Sequence, residues 1–342
     1  MTSESSSVGS TSSFVGSTAP THLRGVLSIA AAAIAWGTGG AVAVVLQRHN
    51  HLGPVTVSFW RFVVAVTALA ALRAVRWRRP RPGWQHRVQW STAIIGGVGL
   101  AVSQAAYFGS ADTAGVALAT LVTMGTCPVL IALGARYLLG ERLTYPRMAA
   151  IGLALVGLVL LTFGPHAGGS DPTLGILLAL LSAATYSTVI LQGRARQGQG
   201  EMLPAYVVGM VCLAPIALVE GALPHGGNTF GAVAWLVYLG LVPTVLAYQW
   251  FFAGLATVPA ATASVIALLE SVTAAAIAVG LLGEHLSAAS FAGMAVLLIA
   301  VTFMARGGAT AGGVVEAASD EAEHVDAGVG VAVDRDGVVP AD

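Results

Sequence analysis

Two charged residues stand well inside apolar stretches of the sequence, and they are the first candidates for chemistry. Glu270 lies near the middle of the apolar run 259–282, and Arg61 lies in the run 55–74. A charged side chain at the centre of a bilayer costs at least ~2.5–3.5 kcal/mol on insertion scales, so each should face a partner or water, not lipid. We predict that both face one water-filled cavity, where Glu270 would bind a solute or carry a proton.

Two other interpretations of this pair stay open at the level of sequence. If Arg61 and Glu270 pair permanently, the pair mainly fixes the packing of two helices. Arg61 also begins less than two turns into its helix, and its long side chain could reach the outer interface instead.

The other candidate site residues are polar and aromatic side chains inside neighbouring apolar runs. They are Trp36, Thr38, Gln104, Tyr107, Tyr186, Tyr248 and Trp250. Trp36 precedes a glycine-rich turn of helix and would form a wall of the cavity opposite Tyr186, or else fill space in tight helix packing. Gln104 and Tyr107 are three residues apart and can share a helix face.

The composition places the chain in a membrane. Of its 342 residues, 56% are hydrophobic and 9% are charged, and the mean hydropathy is +0.79. A soluble domain carries about 25% charged residues, so this chain cannot cover its own surface with polar groups. The net charge of zero gives no reason to expect nucleic acid as a partner. All sixteen basic residues are arginine, which suggests a GC-rich bacterial genome.

The apolar runs predict an all-α protein with ten transmembrane helices, since about 20 apolar residues span a bilayer. The predicted spans are 25–47, 55–74, 91–110, 114–136, 147–164, 173–193, 203–222, 232–253, 259–282 and 288–305. Only Asp112 separates the third and fourth uncharged runs, which predicts a tight turn there. Residues 1–23 and the acidic stretch 307–342 lack an apolar face, and we expect disordered tails.

Arginine placement predicts the orientation of the helices. With a cytoplasmic N-terminus, thirteen arginines fall on the inner side and only Arg48 lies in an outer loop. Both termini are therefore expected in the cytoplasm, and the membrane is expected to be the inner membrane of a bacterium.

The sequence also indicates an internal duplication. Leu-Leu-Gly-Glu ends one apolar run at Glu141 and another at Glu284, and this spacing of 143 residues sets Cys127 opposite Glu270. Near the amino-terminal ends an offset of 150 residues matches Trp36 with Tyr186. Two repeats of five helices, 24–164 and 173–306, would insert in opposite orientations, as in many carriers that bind solute at mid-membrane.

Several short motifs resemble one known family over residues 24–306. They are Ala35-Trp36-Gly37-Thr38, Phe59-Trp60-Arg61-Phe62, Cys127-Pro128-Val129 and the two Leu-Gly-Glu-x-Leu helix ends. In their order and spacing they resemble an EamA-type member of the drug/metabolite transporter superfamily. The resemblance implies a ten-helix bundle in two halves that exports small metabolites, amino acids or drug-like compounds. The family often has proline after the position of Glu270, and Ser271 stands there instead, so a kink in the ninth helix is not assured.

The remaining signals are weaker. Glu141 and Glu284 end their helices beside loops. Each could form a contact that gates the carrier, but we favour the interpretation that each is a solvated carboxylate at the membrane interface.

No metal site, Walker motif or nucleophile–base set is evident, so we expect no cofactor and no enzymatic activity. Uptake or exchange of a metabolite such as a sugar derivative is the alternative to export, and a passive channel is less favoured. A small-molecule substrate and the lipid bilayer are the expected partners, in a monomer or homodimer.

Overall fold

The computed structural model describes residues 19–77, 89–162, 170–198, 202–221, 223, 229–282 and 287–306. These residues form ten helices long and apolar enough to cross a membrane, and no strand occurs among them. The predicted all-α membrane fold with ten spans is therefore confirmed. Residues 1–18, the 307–342 tail, Glu284 and the arginine-rich 78–88 segment lie outside the described parts of the chain.

The first five helices follow the predicted spans with small shifts at their ends. They are α1 (Ala19–Asn50), α2 (Pro54–Trp77), α3 (Trp90–Ala114), α4 (Val116–Leu139) and α5 (Tyr145–Thr162). Helix α1 begins inside the stretch that we expected to be a disordered tail. The turn between α3 and α4 is as tight as expected, but it lies at Gly115 and not at Asp112, which is still helical.

The second five helices contain two irregular ones. They are α6 (Pro172–Ala195), α7 (Met202–Glu220), α8 (Thr229–Leu255), α9 (segments Ala260–Ala267 and Leu269–Leu282) and α10 (Ala288–Arg306). Helix α8 contains a π-helical segment, Leu241–Leu246. Helix α9 is interrupted at Leu268, although residue 271 is serine and not proline.

The interhelical packing has a regular pattern. Helix α1 packs along α8 and α9, α6 packs along α3 and α4, and α2 packs against α7 and α8 while α7 also packs against α3. The counterparts in the two halves are α1 and α6, α2 and α7, α3 and α8, α4 and α9, and α5 and α10. If each helix is exchanged for its counterpart, the set of main contacts stays the same. Many large apolar side chains on the outside, such as Val156, Leu180 and Val219, are exposed, as lipid-facing residues would be.

Two glycines bring α5 and α10 into backbone contact. A Cβ atom at Gly293 would lie 2.6 Å from the carbonyl oxygen of Gly157 and would also clash with the backbone nitrogen of Leu161. Small residues that let two backbones approach are a common basis of helix association in membranes. The two glycines therefore hold these peripheral helices against each other.

Candidate functional site

Glu270 lies at the start of the second segment of α9. At the interruption, the amide of Leu268 donates to the carbonyl of Val265 at 3.1 Å, and the amide of Ser271 donates to the carbonyl of Leu268 at 3.0 Å. These tighter bonds end one helix and begin another, so Glu270 occupies a first helical turn inside the membrane. A carboxylate is favoured there because the amide groups of a helix start carry partial positive charge.

The carboxyl group of Glu270 faces the interior of the bundle. The surrounding helices largely desolvate it, yet Glu270 keeps part of its surface accessible. It lies within electrostatic range of Arg61 and of the hydroxyl groups of Tyr107, Tyr186 and Tyr248. Those four residues belong to four other helices, so the carboxyl group lies among several helices of the bundle.

Helices α4 and α9 diverge on either side of this position. The first segment of α9 packs against α4 and α5. Among the labelled helices α1 to α8 that the structure describes, the second segment packs only against α1. Helices α4 and α9 are therefore in contact along the first segment of α9 and separate beyond it, at the level of Glu270.

Arg61 is directed into the bundle by Thr244 of α8. Its Nε donates to the Thr244 hydroxyl at 3.0 Å, and that hydroxyl donates to the carbonyl of Leu239 at 2.7 Å. Pro243 has no N–H group for the Leu239 carbonyl four residues earlier, so the threonine replaces the missing donor. Thr244 is fully buried. This hydrogen bond therefore holds the Arg61 head group against α8.

Arg61 and Glu270 do not form a direct ion pair. The ion pair that the described residues do form joins Nε of Arg194 to the carboxylate of Glu141, at 2.7 Å. The permanent pair considered from sequence is thus absent from this conformation. A cation from the first half of the chain and a carboxyl group from the second half share one region without neutralising each other directly.

A group of phenols lies between these two charges. Tyr248 approaches Tyr206 with ring centroids 6.3 Å apart, and Tyr186 lies close enough to Tyr248 for the two hydroxyl groups to interact electrostatically. The Tyr206 hydroxyl donates to the carbonyl of Thr244 at 3.0 Å. Tyr248, which was predicted, is therefore connected to Arg61 through Tyr206 and Thr244. Sequence reasoning missed Tyr206 and Thr244.

Trp36 closes one side of this group. Its ring centroid lies 5.1 Å from that of Tyr248 and 5.1 Å from that of Phe251. The indole N–H is buried and has no hydrogen-bond partner among the described residues. Aromatic packing thus accounts for the ring, while the donor is left without an acceptor.

Gln104 and Tyr107 form a polar strip of α3 beside the same region. The Gln104 side-chain oxygen accepts a hydrogen bond from the Ser58 hydroxyl at 3.1 Å, and Ser58 lies one turn from Arg61 on α2. The Tyr107 and Thr120 hydroxyl groups are 2.8 Å apart. The predicted sharing of one helix face is consistent with these contacts.

Two predicted residues are placed apart from this cluster. Thr38 bonds to the Ala35 carbonyl and to the Tyr238 hydroxyl, each at 2.7 Å. Trp250 is 39% exposed on a face of α8 that also exposes Gln249 and Ala253. Within the described part of the chain, neither makes a hydrogen bond or a ring contact with another candidate residue. We therefore take the other seven predicted residues, together with Tyr206 and Thr244, as the candidate pocket.

The expectation that Glu141 is a solvated interfacial carboxylate is wrong. Its carboxylate accepts a 2.7 Å hydrogen bond from Nε of Arg194, and its side chain is only 15% exposed. It also accepts from the backbone amide of Ala260 at 3.1 Å. Sequence placed Glu141 at the end of its own helix but gave no information on which other helix ends lie beside it.

The described residues contain no group of three or more His, Cys, Asp or Glu side chains that would hold a metal ion. The absence of a cofactor remains a prediction. The two cysteines are free, with Cys127 buried and Cys212 exposed.

Known proteins resemble this chain over most of its length. The EamA-like transporter family model matches twice, at residues 23–163 and 173–306. The uncharacterized transporter YwfM of Bacillus subtilis is 26% identical over 281 residues, which cover 80% of this chain and 90% of that protein. An uncharacterized transporter of Archaeoglobus fulgidus is 28% identical over 212 residues, covering 60% of this chain and 74% of that protein.

A solved crystal structure supports the fold. It superposes with a TM-score of 0.68 at 21% sequence identity, over 84% of this chain and 99% of that chain. At this identity the match concerns the architecture of the bundle. The two family matches and the ten apolar helices show that the chain is a membrane transporter and belongs to the EamA-like transporter family.

Proposed function

We propose that this transporter is a secondary active carrier that exports a small metabolite, amino acid or drug-like compound by alternating access. The observation that carries the proposal is the placement of Arg61 and Glu270 in one region without a direct ion pair. Two intramembrane charges left without each other need another partner, and a solute that visits the site can supply it.

Alternating access by two inverted halves is supported by three independent features. The family model matches the chain twice, over the two predicted repeats. The main interhelical contacts are unchanged when the two sets of five helices are exchanged. An odd number of spans in each repeat requires opposite insertion, and such halves typically rock about a midplane site.

The chemistry of the pocket favours a small solute with both a negative and a positive group. Arg61 can donate to a carboxylate or phosphate, and Glu270 can accept from an ammonium group. Tyr186, Tyr206 and Tyr248 supply aromatic surface and hydroxyl groups between them. An amino acid fits this pattern, and a neutral sugar derivative leaves both charges without a partner.

Glu270 is also the proposed coupling group. A carboxyl group that alternates between a wet cleft and an occluded state can release a proton on one side and bind one on the other. Export would then exchange solute for protons entering down their gradient. The carrier is expected in the cytoplasmic membrane with both termini inside.

Proteoliposomes with an imposed pH gradient test this coupling. Glu270→Gln keeps the shape of the side chain but cannot exchange a proton, so we expect solute flux to lose its dependence on the gradient. Glu270→Asp retains a titratable carboxyl group and is the matched control, with slower flux that still follows the gradient. Unchanged, gradient-driven flux in Glu270→Gln would refute the coupling role.

The transported compound is found by comparing a deletion strain with one that overexpresses the protein. Export predicts that one compound class accumulates in the medium on overexpression and inside the cell on deletion. The opposite pattern would favour uptake or exchange. Saturable flux against a concentration gradient separates a carrier from a passive channel.

A further inference from the structure

A polar network ties four helix ends together at one end of the bundle. It consists of Glu141 after α4, Arg194 in the last turn of α6, the carbonyls of Leu255 and Ala256 at the end of α8, and the amide of Ala260 at the start of α9. We call this network the clasp. We infer that the clasp is the gate that closes the carrier at this end and that it must break when the pocket opens there.

The turn after α4 positions the carboxylate. Gly140 adopts a left-handed conformation with φ of 69°, and the amide of Glu141 donates to the carbonyl of Ala135 at 2.9 Å. This is a common way to end a helix, and glycine is favoured because a Cβ atom is strained at that φ. The Leu-Gly-Glu sequence thus stops α4 and directs the next side chain toward α6 and α9.

Arg194 bonds in two directions. Its Nε donates to Glu141 at 2.7 Å, and its Nη1 donates to the carbonyls of Leu255 and Ala256 at 2.6 and 3.2 Å. Glu141 in turn accepts from the amide of Ala260 at 3.1 Å. A cation therefore caps a helix end and an anion caps a helix start, the favourable arrangement for both charges.

The location of the clasp points to a gating role and not to simple cohesion. It joins α4 to the first segment of α9, and beyond that segment α4 and α9 separate, since the second segment makes no helix contact with α4 in the described residues. Glu270 begins the second segment, where this separation starts. Opening the pocket at the clasp end requires these two elements to part, and they cannot part while the clasp is formed.

The inference rests on the proposed alternating access and deepens it. It differs from a plain ion pair in one testable way. Exchanging the charges, with Glu141→Arg and Arg194→Glu together, keeps the mutual attraction but sets a carboxylate against the α8 carbonyls and a cation against the α9 amide. A simple ion pair between positions 141 and 194 would still form after the exchange, whereas the bonds of the clasp to the main chain of α8 and α9 would be lost.

Spin-label distances in lipid nanodiscs measure the opening at both ends. Labels are placed on cysteines in a Cys127→Ser, Cys212→Ala background. One pair, Leu138→Cys with Thr257→Cys, reports on the clasp end. The second pair, Val116→Cys with Gly280→Cys, reports on the opposite ends of α4 and α9. All four positions are exposed.

We expect Arg194→Gln, and likewise Glu141→Gln, to raise the ratio of long to short distances at the clasp end. The rise should be about tenfold or more, since hydrogen bonds to charged groups each contribute ~1.5–3 kcal/mol. The pair at the opposite end should become shorter in the same samples. The charge exchange should behave like the single variants. Arg142→Gln, which removes an exposed charge from the same loop, should leave both distributions as in the wild type.

Three results would overturn the gate. They are wild-type distances in both single variants, recovery of wild-type distances in the charge exchange, or a change at the clasp end with no approach at the opposite end. The proteoliposome flux of the wild-type protein separates this test from the wider proposal. Paired distance changes in a protein that moves no amino acid against a gradient would refute the proposed amino-acid export and leave the clasp intact as a conformational lock.

Discussion

Thr244 is the residue through which the candidate site is connected to the backbone of α8. Its hydroxyl accepts from Arg61 and donates to the Leu239 carbonyl, and its own carbonyl accepts from Tyr206. One buried side chain thus satisfies both an intramembrane cation and a backbone group that Pro243 leaves without its usual donor. It acts on the pocket by positioning Arg61.

Replacing Thr244 with valine tests this role, since the two side chains have the same shape. We expect Thr244→Val to lower stability by about 1–3 kcal/mol, because the Leu239 carbonyl and the Arg61 Nε both lose a partner. Thr244→Ser keeps the hydroxyl group and should remain close to the wild type. Thermal unfolding in detergent checks the difference, and equal melting temperatures for the two variants would contradict it.

A double substitution shows whether the effect passes through Arg61. If Thr244 positions Arg61, then Thr244→Val should cost less stability in an Arg61→Gln background than in the wild type. Strictly additive losses would show that the Leu239 carbonyl alone accounts for the effect.

At this scale, sequence identified the charges but not the groups that hold them. Glu270 and Arg61 could be found because a charge is conspicuous in an apolar run. Thr244 could not, since threonine is unremarkable there and its contact depends on a π-helical segment that shifts the following residues around the helix axis. Pro243 in mid-helix was the available signal, because proline removes a backbone donor and forces some local rearrangement.

Helix α9 is interrupted although it lacks the proline that would be expected to interrupt it. Sequence left the kink undecided because serine stands at position 271. The helix is nevertheless interrupted at Leu268, and the interruption gives Glu270 a helix start inside the membrane. The boundaries of the regular helices were predictable from apolar length, whereas this break depends on contacts among several helices.

The α5–α10 contact gives a prediction at the scale of elements. Gly293→Ala would insert a methyl group against the backbone of α5, and overpacking of this kind costs about 1–3 kcal/mol. Gly152→Ala, also on α5, is the matched control because open space surrounds that position. We expect a lower melting temperature for Gly293→Ala and an unchanged or slightly higher one for Gly152→Ala. Equal melting temperatures would contradict the close contact.

The predicted orientation of the whole molecule is based on its arginines and can be tested directly. In the Cys127→Ser, Cys212→Ala background, His51→Cys lies between α1 and α2, and Tyr145→Cys lies at the start of α5. A membrane-impermeant maleimide should label His51→Cys on intact cells, and should label Tyr145→Cys only after the cells are permeabilised. The reverse pattern would place both termini outside.

The number of spans and the family could be predicted from sequence, because they depend on the length of apolar runs, on composition and on short motifs. The contacts between helix ends that are far apart in the sequence could not be predicted in this way. Glu141, Arg194 and Ala260 come from separate parts of the chain, and only the folded bundle brings them together. The favoured interpretation of Glu141 failed for that reason.

Most partners of Glu141 and Arg194 in the clasp are main-chain groups: carbonyl oxygens, which every amino acid has, and an amide N–H, which only proline lacks. Residues 256 and 260 can therefore change identity over evolution without altering the bonds they provide. A search for co-varying positions would detect at most the acid–base pair and would overlook the helix ends it fastens. Identifying such a lock in a relative therefore needs a structure, because the main-chain partners of Glu141 and Arg194 cannot be recognised from the amino-acid sequence.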